Sequence, residues 1–170
     1  MLGIGGKELS EENAAQTAKA LNIIQPDFIR VHATGIKLES KLGEFVRDGS
    51  FTLQSEEEIV IEQKLFLQQL HEMDSYYVNE HIVNLLLEVR GNLRTEKQEM
   101  LSTIDRFLTL PPDERLLFTV GRRLNIFFRL DDLKKPKLHQ KAGESLQQIL
   151  SKNPHVDFAA LCNYVRQSQS

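Results

Sequence analysis

Residues 10–33 read SEENAAQTAKALNIIQPDFIRVHA, and the hydrophobic period changes at Pro26. Ser10 has the character of a helix N-cap, with Glu11 and Glu12 in the first turn facing the positive end of the helix dipole. Ala14, Ala15, Ala18 and Leu21 follow at helical spacing, which predicts a helix over 11–24 ended by Pro26. Asp27 to Ala33 is rich in β-formers and alternates. Phe28, Arg30 and His32 share one face; Ile29, Val31 and Ala33 share the other.

Working outward, Leu2 to Gly6 is a short apolar stretch ending in glycines and predicts a first strand. Thr34 to Leu53 is loop with one short helix over 41–47, closed by Asp48-Gly49. Ser55 to Glu58 has the capping-box pattern and opens a helix carrying Ile59, Leu65, Phe66, Leu70 and Met73. Ser75 to Asn79 reads as a further strand. The order β-α-β-α-β with helix-length crossovers argues for parallel strands and an α/β region over 1–90.

The region 91–170 is different. Thr95 to Gln98 is a second capping-box pattern, preceding Met100, Leu101, Ile104, Phe107 and Leu108 on one helical side. Pro111-Pro112 stops that helix, and Asp113 caps the next, through Leu116, Leu117 and Val120 and beyond Leu124. Pro136 suits the first turn of a helix carrying Leu146, Ile149 and Leu150. Asn153-Pro154 breaks it, and Asp157 caps a final helix to about Gln167. No strand is expected after Val89. The whole is helix-dominated α/β, with about three parallel strands and then an all-helical extension. So small a parallel sheet has two open edges and faces that need cover. On this pattern the first region resembles the later part of a larger α/β domain.

Composition narrows the function classes. With 41% hydrophobic and 26% charged residues over 170, the chain can bury a core, which excludes a disordered tail or a fibrous rod. The single Cys162 excludes a self-contained Cys-ligated zinc or iron–sulfur site and reads as a small buried side chain. His71, His81, His139 and His155 lack metal-ligand spacing. No signal peptide is visible and no apolar run is long enough to span a bilayer, so a cytoplasmic protein without membrane contact is expected. Residues 1–85 hold 7 basic and 14 acidic side chains, a net of −7; residues 86–170 hold 14 and 10, a net of +4. The most basic stretch, Lys134 to Lys141, lacks interleaved aromatics, so it suits a solvated helix start better than an RNA contact.

Several stretches together resemble a known family. Leu2 to Ser10, Ala18 to Asn22, Pro26 to Arg30, Gly49 to Leu53, Tyr77 to Asn84, Gly121 to Arg123 and Arg129 to Leu133 are similar, in order and spacing, to the carboxy-terminal half of radical S-adenosylmethionine (radical SAM) enzymes. The branch is the one related to the Elongator catalytic subunit. The resemblance implies a partial (β/α) barrel followed by a helical extension. It also implies S-adenosylmethionine and a four-iron four-sulfur cluster as the family's cofactors. The cluster is held by a Cys-x-x-x-Cys-x-x-Cys loop that would lie before Met1, and Cys162 does not replace it. The chain by itself is then expected to bind neither cofactor and to be catalytically silent, as a truncated or split part of a parent enzyme.

The resemblance also nominates cofactor-binding residues. Gly5 and Glu8 match the end of a Gly-x-Ile-x-Gly-x-x-Glu strand motif, although Met1 stands at its first Gly and Gly3 at its Ile. Arg30 shares a face with His32, which stands where relatives carry Arg and so loses a bidentate fork. Glu80 (Asp in relatives), His81 and Asn84 follow the last strand, at the carboxyl end where barrel sites lie. The same residues also suit plain structural roles: a glycine turn, a solvated arginine, a His–acid pair. Two other functions fit the chain. One is a self-associating scaffold module, a homo-oligomer or the partner of a missing amino-terminal half. The other is an RNA-contacting appendage.

Overall fold

The computed structural model describes residues 1–169. The first helix, α1 (Ser10–Ile24), buries Ala14 and Ala18, small side chains that let it lie close against α3 (Glu56–Gln69). Ser10 does not cap α1. Its hydroxyl donates to Glu62 Oε2 at 2.9 Å instead. Ser55 does cap α3, with both halves of the capping box formed: Glu58 N–H to Ser55 Oγ at 3.2 Å and Ser55 N–H to Glu58 Oε2 at 2.7 Å. Between them, β1 (Phe28–Arg30) and the short α2 (Lys41–Asp48) fall where the residue pattern placed them.

The sheet is mixed rather than wholly parallel. β1 pairs in parallel with β2 (Tyr76–Val78), Phe28 opposite Tyr76 and Arg30 opposite Val78. The expected first strand shrinks to one parallel bridge, Leu2 to Ala33. Gly3 and Gly6, at φ 79° and 62°, turn the chain before it can extend. The third strand, β3 (Gly91–Asn92), is antiparallel to β2 and lies beyond Val89, where none was expected. Two residues are too few to carry an alternating pattern.

Side chains cover the outer backbone groups at Leu2 and at β3. Outside the Leu2 bridge, Asn13 Nδ2 donates to Met1 O at 2.9 Å and the buried Glu62 accepts from Gly3 N–H at 3.1 Å. Outside β3, Glu96 Oε2 accepts the Asn92 N–H at 2.7 Å. The second capping box does not form, because the following helix begins one residue later than a Thr95 cap requires. Glu96 is itself the N-cap of α4 (Lys97–Leu108), and its carboxylate is committed to the sheet edge.

The remaining helices are α5 (Pro112–Arg123), α6 (Pro136–Lys152) and α7 (Phe158–Gln169), with a 3₁₀ turn at Leu130–Lys134. Pro111 is the N-cap of α5 and Pro112 its first residue, a position where a missing N–H costs nothing; Asp113 sits in the first turn instead of capping. Asp157 Oδ1 accepts from Ala159 and Ala160 N–H and caps α7 as expected. Phe107 packs tilted against Phe118, and Phe118 stacks on Phe127, with centroids 5.8 and 5.9 Å apart. Gly121 leaves room for that stack, since a Cβ there would lie 2.3 Å from the Phe127 ring. One apolar cluster runs from Leu2 to Ala142 across both regions.

Candidate functional site

Strand alternation gives the sheet one covered face and a second that is exposed at Phe28, Tyr76 and Arg30 but closed at Val78, which lies opposite Arg30 and is buried. Ile29, Val31 and Tyr77 point into the core beneath α1 and α3. On the opposite face, Phe28 and Tyr76 remain 60% and 41% exposed while stacking on each other, centroids 5.7 Å apart and planes 28° from parallel. Arg30 is exposed two residues further along β1. His32 then packs against His81, with centroids 3.6 Å apart and planes tilted by 47°. At the carboxyl end of β2, Glu80 pairs with Arg90 at 2.7 Å. The result is a row of aromatic rings, a guanidinium and two imidazoles, with the neighbouring carboxylate already paired.

The imidazole of His81 is half-buried, and its Nδ1 accepts the Val83 N–H at 3.4 Å. Burial, then the charges of His32 and Arg30, hold its pKa below the ordinary histidine value, so it favours the neutral form. Arg30, His81 and Glu80 therefore gather at the carboxyl end of the parallel strands.

The other nominated residues lie elsewhere. Asn84 is buried and fully used: its Oδ1 accepts from Ala33 N–H at 2.7 Å, and its Nδ2 donates to Val31 O at 3.0 Å and Asn79 O at 3.2 Å. It clamps the loop after β2 to β1. Gly5 belongs to the turn leading into α1, where its carbonyl accepts the Leu9 N–H at 3.2 Å. Glu8 is exposed and accepts from the Thr52 hydroxyl, which, before any other cause, draws its pKa down. The six residues do not converge on one cavity.

A second polar cluster escaped the residue pattern. Glu56, at the start of α3, is buried and receives Arg123 through Nε at 3.1 Å and Nη2 at 2.6 Å, and Arg166 Nη1 from α7. Arg123 Nη2 also donates to Val83 O at 2.9 Å and Arg166 Nε to Thr34 O at 3.1 Å. Beside them, the buried Arg122 donates to the carbonyls of Leu85, Asn84, Phe127 and Ile82 at 2.8–3.3 Å. Burial, then Arg123, lower its pKa to about 10, which leaves it charged at neutral pH. The only sequence signal was an Arg doublet at the end of an apolar helix. These arginines hold the loop that carries His81 and Asn84, and they tie α7 to the sheet region.

The donor set does not fit an iron–sulfur cluster. Cys162 is buried on α7, and burial, with the Glu56 charge second, pushes its thiol up to about 12, so it stays protonated. Among the described residues no group of three or more His, Cys, Asp or Glu is arranged to hold a metal ion. Of the six residues nominated for S-adenosylmethionine, Asn84 has both polar atoms engaged by backbone groups and Glu8 faces Thr52, which leaves Arg30, Glu80 and His81 near one another. No helix among the described residues is long and apolar enough to cross a membrane. No family model, curated protein or solved structure matches the chain.

Proposed function

We propose that this chain is a carboxy-terminal portion of a radical-SAM-type barrel that acts as a binding wall and performs no radical chemistry of its own. The observation that carries this reading is the asymmetry of the sheet: α1 and α3 cover one side of β1 and β2, while on the other side Phe28, Arg30 and Tyr76 are exposed, His32 is half-buried and Val78 alone is buried. In a (β/α) barrel the helices lie outside and the opposite strand face lines the interior. The ordered resemblance from Leu2 to Leu133 supports the same assignment. The protonated, buried state of Cys162 supports the absence of a cluster in this chain.

Anaerobic reconstitution of the purified chain with iron and sulfide tests the proposal. The expected result is no cluster absorbance and no release of 5′-deoxyadenosine from S-adenosylmethionine under reducing conditions. Assembly of a four-iron cluster, or cofactor cleavage, overturns it.

A further inference from the structure

Away from the sheet, the starts of α3, α5 and α7 converge on a cavity of about 170 Å³ that opens to solvent on one side. On α5, Pro112, Leu116 and Thr119 recur at helical spacing and make one wall. Phe158, Ala159 and Cys162 do the same on α7. Continued by one turn, the two rows reach Arg123 and Arg166, whose guanidiniums meet on Glu56. The cavity is thus a wedge between two helices, with apolar walls and the Glu56 cluster at its floor.

The polar groups around this wedge have donors to spare and their acceptors spent. Thr119 is only 8% exposed, and its hydroxyl has no partner among the described residues. Ser55 Oγ accepts the Glu58 N–H, which leaves its own proton to give. Arg123 Nη1 is buried with no oxygen or nitrogen partner, and its guanidinium lies beside Cys162. The lining carboxylates are taken, Glu56 by Arg123 and Arg166, and Glu57 by Arg115 at 3.0 Å. Because two buried guanidiniums share the single charge of Glu56, one positive charge stays uncompensated where water does not screen it. The first turns of α3 and α5 add their free N–H groups and positive dipole ends. Asp113 and Asp157, beside the mouth, are exposed and screened by solvent.

We propose that this cavity binds a small apolar monocarboxylate, its oxygens accepting from the Ser55 and Thr119 hydroxyls and its apolar body packed between Leu116 and Phe158. Size agrees, since an apolar cavity of about 150 Å³ is enough for benzene. Charge selects the head group: a carboxylate meets the surplus guanidinium charge, a neutral alcohol gains less from it, and an ammonium is repelled. A ligand seated here bridges α5 and α7 and fastens the last helix to the body.

The test is an amide NMR titration of the full chain with sodium benzoate at constant ionic strength, with benzyl alcohol and benzylamine as parallel arms. The expected result is saturable shifts at Thr119, Ala159 and Cys162, with a dissociation constant of about 0.1–1 mM. Benzyl alcohol should bind about fivefold more weakly or worse, and benzylamine should give no saturable shift. Thr119→Val keeps the side-chain shape, removes the hydroxyl, and should weaken benzoate binding about tenfold. Ala159→Phe fills the wedge and should abolish binding. Circular dichroism and urea unfolding verify the fold of each variant, and Thr119→Val carries the test if Ala159→Phe does not fold. No saturable benzoate shift, equal affinity for benzyl alcohol, shifts centred elsewhere, or Thr119→Val binding like the native chain overturns the proposal. The titration uses neither iron nor S-adenosylmethionine, so its outcome is independent of the binding-wall reading.

Discussion

Replacing Glu56 by Gln removes the one charge that two buried guanidiniums share while preserving the shape of the side chain. Arg123 and Arg166 then remain out of water, facing a neutral amide. Breaking a buried ion pair by neutralising one partner costs about 3–5 kcal/mol. The whole domain is stabilised by about 5–15 kcal/mol. With a urea dependence of about 2 kcal/mol per molar, the unfolding midpoint at neutral pH should fall by about 2 M. Acid supplies an independent check. Burial raises the pKa of Glu56, but Arg123 and then Arg166 outweigh that and hold it below its ordinary value of 4.5. A depressed carboxyl contributes stability above its unfolded pKa and loses it as pH falls through the folded one. The difference between native chain and variant should therefore be full at neutral pH and shrink below the ordinary carboxylate range. A cycle with Arg166→Met measures the shared energy, since the double variant should be less destabilised than the sum of the singles. A midpoint shift under about 0.5 M, or a difference that persists unchanged into acid, refutes the reasoning.

Two further outcomes follow from buried groups. Asn84→Ala leaves the Ala33 N–H and the Val31 and Asn79 carbonyls without their partner, and should cost about 2–3 kcal/mol in urea unfolding. A stability loss near zero would return Asn84 to the ligand-binding candidates. Cys162, with its thiol held protonated by burial, should react with a disulfide reagent only after denaturant is added; stoichiometric labelling of the native chain at pH 8 contradicts the packing of α7.

Local chemistry made most helices legible in the residues. Alanines at helical spacing, the Ser55–Glu58 box, Pro136 and the Asp157 cap act within a turn or two of chain, and each element formed where its own residues placed it. The alternation of Phe28, Arg30 and His32 against Ile29 and Val31 likewise fixed which side chains share the candidate face. Legibility failed where a side chain chose a distant partner over its neighbours. Ser10 turned to Glu62, and Glu96 took the N-cap place expected of Thr95 while its carboxylate reached the Asn92 N–H of β3. Asn84 followed the loop closure it secures and left Arg30 and His81 without it at the carboxyl end of the strands.

The sequence by itself thus determined a helix-rich α/β chain with one mixed-character strand and a single thiol, because hydrophobic period, caps and composition are local or additive properties. Only the tertiary structure decided that side chains cover the outer backbone groups at Leu2 and β3, and that Phe28, Arg30 and Tyr76 stay exposed on one face of the sheet. It alone brought Glu56 to Arg123 and Arg166 across 67 and 110 residues of chain. Those outcomes depend on which buried polar groups find each other when the core closes, and no window of adjacent residues carries that information.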